Sequence, residues 1–158
     1  MTGAIVTCLW FDGVGEEAAN FYASVFPNSK IVSVSRYPEG SPYQPGSVMT
    51  VEFELDGRPF VALNGGPQYS FSPAISLWID CKDQAEVDRY WARLSEGGHE
   101  VQCGWLQDKY GLSWQVVPSL LPRLLKDENS RKAAAVMQAM LAMVKLDVAT
   151  LQAAYDAA

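Results

Sequence analysis

The stretch Val101-Gln-Cys-Gly-Trp-Leu-Gln-Asp-Lys-Tyr-Gly-Leu-Ser-Trp-Gln-Val-Val-Pro118 decides the fold. Its apolar and polar residues interleave between Trp105 and Val117, which is typical of strands in a sheet. The segment Lys109-Tyr110-Gly111 separates two β-rich runs, and a glycine in this position is the usual chemistry of a hairpin turn. The stretch therefore predicts a short strand, a turn and a longer strand that ends at Pro118.

The elements before this hairpin occur in an order that the first half of the chain repeats. A strand at Ile75–Asp80 and a helix at Gln84–Ser95 precede the hairpin. The first half of the sequence predicts a strand at Ile5–Phe11 and then a helix that starts at Glu16. Three more strands are predicted after this helix, at Lys30–Tyr37, Val48–Leu55 and Arg58–Leu63. Superposing Phe21-Tyr22 on Tyr90-Trp91 places Thr7 on Ser76. The chain is therefore predicted to be a duplicated strand, helix and strand-hairpin unit.

The tail after Pro118 differs in kind, because its apolar residues recur at helical spacing. Helices are predicted at Ser119–Lys126 and Ser130–Val144, followed by a last helix that Asp147 caps and that ends at Tyr155. Alanine and methionine cover most of the long helix. We therefore expect it to pack on the body of the protein or on a second subunit.

Composition excludes several classes of protein. The chain has 158 residues and a net charge of −6, and its Lys and Arg residues are scattered, so nucleic acid is not an expected partner. No run approaches the roughly 18 apolar residues of a membrane span. Cys8, Cys81 and Cys103 lie far apart without metal or redox spacing, and the N-terminus lacks the features of a signal peptide. These features predict a cytoplasmic protein with no membrane partner.

Three motifs carry a resemblance to a known family. They are Leu9-Trp-Phe-Asp-Gly13, Glu17-Ala-Ala-Asn-Phe-Tyr-Ala-Ser-Val-Phe-Pro27 and the Trp105–Pro118 hairpin. They resemble the vicinal-oxygen-chelate superfamily (glyoxalase, bleomycin-resistance and dioxygenase proteins). More closely, the chain is similar to its PhnB-like branch, labelled 3-demethylubiquinone-9 3-methyltransferase. The resemblance covers about residues 4 to 156 and includes the methionine-rich tail.

The resemblance implies an α+β fold in which two βαβββ units form a curved, cavity-enclosing sheet. The units would span about residues 4–66 and 74–118, within a glyoxalase-like domain at 4–126. Residues 127–158 would form a C-terminal helical extension that belongs to the same domain or to a dimer contact.

The superfamily commonly binds a divalent metal, with ligands from the first and last strand of each unit. The resemblance places these positions at Thr7, Val61 (or Ala62), Ser76 and Gln115. None is a His, a Cys or a carboxylate, so no metal and no other cofactor is predicted. The single histidine, His99, is interpreted as a solvated loop residue. Cys8 would face the cavity if the register of the first strand were shifted by one residue.

The methyltransferase label is not supported by the residues. A methyl donor of the adenosyl class is normally held at a glycine-rich turn from a strand to a helix, and no G-x-G-x-x-G or similar turn is expected in this sequence.

The candidate ligand-binding residues are those expected on strand faces that lead into the cavity, together with aromatic residues and one loop amide. A pocket of apolar and aromatic groups with a few polar ones is the usual form of a small-molecule site. The alternatives are a filled core, core packing of the tryptophans, turn chemistry for the loop amide and a solvated turn for Asp108, which would be a general base only if buried. The candidates are Thr7, Leu9, Asn64, Ser76, Trp78, Trp105 and Gln115.

Three functions remain open. The first is a homodimeric protein that binds a small apolar or aromatic molecule in a metal-free cavity. The second is a metal-dependent enzyme of the lyase or dioxygenase type, with unusual ligands. The third is a structural or regulatory dimer whose cavity is vestigial.

Overall fold

A computed structural model describes residues 3–158. The chain divides into two compact units, the first ending at Ser70 and the second beginning at Phe71. Each unit contains one strand, one helix and three further strands, in that order, and the second unit also contains the C-terminal helices. The predicted α+β fold with two βαβββ units and a helical tail is confirmed.

Unit 1 contains one helix and a four-stranded sheet with the strand order β1-β4-β3-β2. Strand β1 pairs with β4 in parallel, and the other pairs are antiparallel. Asp56 and Gly57 join β3 to β4 with φ angles of 49° and 75°, which a two-residue hairpin with the sheet's twist requires. The elements are β1 (Thr7–Phe11), α1 (Gly15–Val25), β2 (Lys30–Arg36), β3 (Val48–Leu55) and β4 (Arg58–Asn64).

The core of unit 1 lies between α1 and one face of this sheet. Alternate residues of β3 are buried, because side chains along a strand point to opposite faces. Ala18, Ala19 and Tyr22 on α1 are buried with them. The buried apolar residues of the sheet are Leu9, Phe11, Val51, Phe53, Leu55, Phe60 and Ala62.

Unit 2 repeats this strand order as β5-β8-β7-β6, again with its first and last strands parallel. The predicted hairpin is present as β7 and β8, but the prediction of a solvated turn carboxylate is wrong. Asp108 is buried, and its carboxylate accepts hydrogen bonds from the Tyr110 and Leu112 amides and from the Trp114 indole. The elements are β5 (Ser76–Cys81), α2 (Gln84–Ser95), β6 (His99–Glu100), β7 (Trp105–Gln107) and β8 (Ser113–Pro118).

Three helices form the tail, α3 (Leu120–Leu125), α4 (Ser130–Leu141) and α5 (Val148–Asp156). The predicted cap is confirmed, since the Asp147 carboxylate accepts a hydrogen bond from the Thr150 amide at 2.7 Å. The tail packs on its own chain around a buried cluster of Val117, Leu121, Leu124, Val136, Leu146 and Leu151.

Helix α4 is less covered within one chain than its composition predicts. Val136 is its only buried residue, and Met137 and Leu141 are exposed. Among residues 3–158, no helix combines the length and apolar character needed to cross a membrane.

Candidate functional site

Four of the predicted site residues lie on one face of the unit 2 sheet, in two neighbouring rows. Strand β8 lies between β5 and β7, and residues in register on adjacent strands point to the same side. We call this surface the tryptophan face. Its first row is Ser76, Ser113 and Gln107, and its second row is Trp78, Gln115 and Trp105.

The tryptophan face is the side of the sheet that α2 does not cover. The alternating residues Leu106, Trp114 and Val116 are buried on the opposite side, where α2 packs on β7 and β8. Trp114 is thus a core residue, whereas 54% of Trp78 is exposed. Val117 follows Gln115 by two positions on β8, so it shares the tryptophan face, and it is buried in the tail cluster. The tail therefore covers one end of this face.

The polar groups of the tryptophan face are uncharged amides and hydroxyls. The Gln115 side-chain amide donates a hydrogen bond to the Ser76 hydroxyl at 2.9 Å. The Ser113 residue is only 1% exposed, and its hydroxyl is the one buried side-chain N or O atom without a hydrogen-bond partner among the described residues. An unpaired buried hydroxyl costs about 1–3 kcal/mol. The first row therefore contains a buried hydroxyl without a partner, next to the row that bears the two tryptophans.

The predicted site residues on β1 lie on the side of the unit 1 sheet that α1 covers, whereas the tryptophan face is the side of the unit 2 sheet that α2 leaves uncovered. Leu9 is buried there and pairs with Ala62, and Thr7 shares its side of the sheet. Val61 pairs with Cys8 on the other side, so Thr7 and Val61 do not point the same way. The structure thus brings Ser76, Trp78, Trp105 and Gln115 together within unit 2 and leaves Thr7 and Leu9 under the helix of unit 1.

A difference in loop length explains this shift. Three residues connect β1 to α1, whereas two connect β5 to α2, and the aromatic pairs occupy equivalent positions in the two helices. Superposing the helices therefore slips the first strand by one residue relative to the fifth. A slip of one residue exchanges the two faces of a strand.

Asn64 is buried, and hydrogen bonds within unit 1 occupy its side chain. Its Oδ1 accepts from the Gly15 amide at 2.8 Å, and its Nδ2 donates to the Val48 carbonyl at 3.1 Å. Its own carbonyl accepts from the Tyr37 hydroxyl. Asn64 therefore fastens the start of α1, a role related to the turn chemistry predicted as its alternative.

A cavity of about 410 Å³ lies next to Asn64. The expectation that the chain lacks a glycine-rich turn from a strand to a helix is wrong, because Gly13-Val-Gly-Glu-Glu-Ala18, at the turn from β1 into α1, fits the G-x-G-x-x-A form. However, Asn64 occupies the Gly15 amide, and Asp12, Glu16 and Glu17 line the cavity. This arrangement opposes a phosphate, because like charges repel the ligand.

The residues at the family's ligand positions do not fit a catalytic metal. Ser76 and Gln115 offer a hydroxyl and an amide that bond to each other, and Val61 offers no donor atom. Zinc and transition metals are normally bound by imidazole, thiolate or carboxylate groups. Within residues 3–158, no three His, Cys, Asp or Glu side chains come together in a way that could hold a metal ion.

A family profile and a solved structure with the same family description are both similar to this chain. Residues 3–117 match the sequence profile of the family described as 3-demethylubiquinone-9 3-methyltransferase. The chain is similar to the solved PhnB protein from Bacillus cereus, with 38% identity over 72% of this chain and 98% of that chain and a TM-score of 0.66. No curated protein matches the chain.

More distant solved structures are similar in fold alone. They include protein PA1353 from Pseudomonas aeruginosa, with 20% identity, 72% of this chain and 96% of that chain covered, and a TM-score of 0.60. The fosfomycin resistance protein FosX from Mesorhizobium loti has 15% identity, 72% and 89% coverage, and a TM-score of 0.52. The family profile ends before the tail helices begin.

Proposed function

Because the chain belongs to the 3-demethylubiquinone-9 3-methyltransferase family, a PhnB-like branch of the vicinal-oxygen-chelate superfamily, we propose that it binds a small flat molecule on its tryptophan face. The observation that carries this proposal is the row Trp78, Gln115 and Trp105 across three adjacent strands. Members of the superfamily commonly bind small molecules as dimers.

The spacing of the strands supports a flat ligand. Adjacent strands lie about 4.8 Å apart, so the strands that bear the two tryptophans are roughly 9.6 Å apart. A ring in contact with two flanking groups needs about 3.5–4.0 Å on each side. This spacing is compatible with one flat ring between the flanking side chains, with the Gln115 amide at its edge.

The exposure of Trp78 supports the same proposal. An indole is among the largest apolar side chains, and a tryptophan left in water on a sheet face forgoes the burial that stabilises a core. Stacking on a ligand would recover that burial.

We do not extend the proposal to methyl transfer or to metal chemistry. The glycine turn at Gly13–Ala18 opens on carboxylates, and the donors at the family's ligand positions do not suit a metal. No specific observation favours either reaction over binding.

A titration with 2-naphthol, a neutral aromatic probe, followed by calorimetry, tests the proposal. Stacking contributes about 1–3 kcal/mol, so Trp78→Ala should weaken binding by about fivefold to 150-fold. Tyr69→Ala is the matched control, because Tyr69 is an exposed aromatic residue of unit 1. The proposal fails if the wild-type protein does not bind the probe at millimolar concentration, or if Trp78→Ala binds as tightly as wild type.

We also propose that α4 forms a homodimer contact. Met137 and Leu141 are exposed and lie one turn apart on α4, so they form an apolar patch without charge. Such a patch is complementary to a second copy of itself across a two-fold axis. Light scattering should give a dimer for wild type and for the exposed control Gln138→Glu, and a monomer for Leu141→Glu. A dimeric Leu141→Glu protein would place the contact elsewhere.

The predicted cytoplasmic location is kept as part of this proposal. Its support is that all three cysteines are free thiols, as expected in a reducing compartment.

A further inference from the structure

The first row of the tryptophan face indicates which polar substituent the flat ligand should have. This inference rests on the proposed function. Ser113 lies one step before the tryptophan row along β8, two residues from Gln115. Two residues of a strand span about 6.6 Å. A C=O bond of about 1.2 Å and a hydrogen bond of about 2.8 Å leave about 2.6 Å, which is close to the distance from the middle of a fused two-ring system to its substituted carbon. A ring beside the tryptophans can thus direct an oxygen toward the Ser113 row.

The hydroxyl of Ser113 is the independent sign of a missing partner. It is buried and unpaired, whereas the neighbouring Ser76 hydroxyl is bonded to Gln115. A serine hydroxyl both donates and accepts, so it can pair with a carbonyl or with a hydroxyl. A ligand oxygen at this point would remove the cost of leaving the group unpaired.

The charge of the surface decides between a neutral and an ionised oxygen. None of the six residues of the tryptophan face has an acidic or basic side chain. The nearest ionisable residue on the same side of β5 is Asp80, whose carboxylate accepts a hydrogen bond from the Ser119 hydroxyl at 2.7 Å. A carboxylate on the ligand would lose its hydration without gaining a cation, and it would be repelled by Asp80.

We infer that the ligand is a neutral aromatic compound with a carbonyl or hydroxyl substituent, its ring between Trp78 and Trp105 and its oxygen bonded to Ser113. Gln107, at the end of the same row, offers a second amide to a larger substituent.

Three probes with the same ring system test the inference: naphthalene, 2-naphthol and 2-naphthoate. We expect wild type to bind 2-naphthol about tenfold more tightly than naphthalene, as a hydrogen bond of about 1–1.5 kcal/mol gives, and 2-naphthoate most weakly. Ser113→Ala should abolish the preference for 2-naphthol and leave naphthalene binding unchanged. Ser119→Ala, a serine outside the two rows, should keep the preference.

The outcomes separate the inference from the function on which it rests. If neither naphthalene nor 2-naphthol binds, the proposed function fails. If both probes bind equally and Trp78→Ala weakens the binding of both, the stacking site is supported and the contact between the ligand oxygen and Ser113 is overturned. Tightest binding of 2-naphthoate would also overturn that contact. The melting temperature of ligand-free Ser113→Ala provides a second readout. It should not fall, because the variant removes an unpaired hydroxyl, and a clear fall would show that the hydroxyl already has a partner.

Discussion

Unit 1 and unit 2 share one strand order, yet they fasten the starts of their helices differently. In unit 2, Asp83 precedes α2 and its carboxylate accepts a hydrogen bond from the Glu86 amide at 2.9 Å. In unit 1, Val14 precedes α1 and makes no such bond, and Asn64 at the end of β4 accepts from the Gly15 amide instead. One topology can therefore satisfy the unpaired amides at the start of a helix either from the preceding residue or from a distant strand.

The edges of the two sheets differ as well. The edge strand β2 of unit 1 has seven residues, whereas β6 and β7 of unit 2 have two and three. The tail compensates, because the Cys103 and Gly104 amides donate to the Met143 and Val144 carbonyls at 2.9 and 2.8 Å. Cys103 and Gly104 directly precede Trp105. The tail therefore positions the tryptophan face, a task for which unit 1 has no counterpart.

The largest expected effect comes from removing the tail's contact with this edge. Leu146 is fully buried. It lies so close to Gly104 that a Cβ atom added at Gly104 would lie 2.8 Å from Leu146 Cδ1. Leu146→Ala should lower the free energy of unfolding by about 2–5 kcal/mol, measured by urea denaturation. Hydrogen exchange should increase at Trp105–Gln107 and stay unchanged at Lys30–Arg36. Equal loss of protection in both segments would contradict the tail's selective role.

A smaller loss is expected at the distant cap of unit 1. Asn64→Ala leaves the Gly15 amide and the Val48 carbonyl without their side-chain partner, which should cost about 2–3 kcal/mol in urea denaturation. Asn20→Ala serves as control, because Asn20 is an exposed residue of α1 that bonds only to the Glu16 carbonyl. If Asn64→Ala lowers the free energy of unfolding by less than Asn20→Ala does, Asn64 does not stabilise the start of α1.

The local cap of unit 2 should matter less again. Asp83→Ala should destabilise the protein by about 1 kcal/mol, the usual value of an N-cap. Asp12→Ala, in the corresponding loop before α1, should change stability by less than about 0.5 kcal/mol because no helix amide is bonded to it. If the two variants lose the same stability, the contrast between local and distant capping is wrong.

Thiol reactivity should distinguish the units without a change in stability. Burial raises the pKa of Cys81 to about 12, with a further contribution from the Glu86 and Asp80 carboxylates. Because only the thiolate reacts, a pKa of about 12 leaves about one molecule in ten thousand reactive at pH 8. In a Cys103→Ser background, Ellman's reagent should label the exposed Cys8 first and Cys81 only after unfolding. Labelling of both at one rate in the native protein would contradict the burial of Cys81.

Much of the fold could be predicted because its signals are local. The hairpin at Asp56-Gly57, the helix Gln84–Ser95 and the Asp147 cap each depend on neighbouring residues, and each is found where the sequence places it. The common side of the four candidate residues of unit 2 could be predicted for the same reason, since it follows from alternation along β5, β7 and β8.

The remaining features depend on distant or very small differences. One extra residue between β1 and α1 reverses the face of Thr7 and Leu9, and no periodicity marks such an insertion. The cap supplied by Asn64 joins residues 49 positions apart, so no local pattern reveals it. Asp108 resembles any turn aspartate until the Trp114 indole is seen to bond to it.

The parallel pairing of the first and last strand in each unit has a consequence for synthesis on the ribosome. Strand β1 is the first element of unit 1 to be made, yet its partner β4 is the last strand of that unit. Until then its apolar side chains have no sheet to join, and non-local pairing of this kind is slow and open to aggregation. A nascent chain of this protein is therefore expected to be a chaperone client up to Asn64 and to become protease-resistant only beyond it.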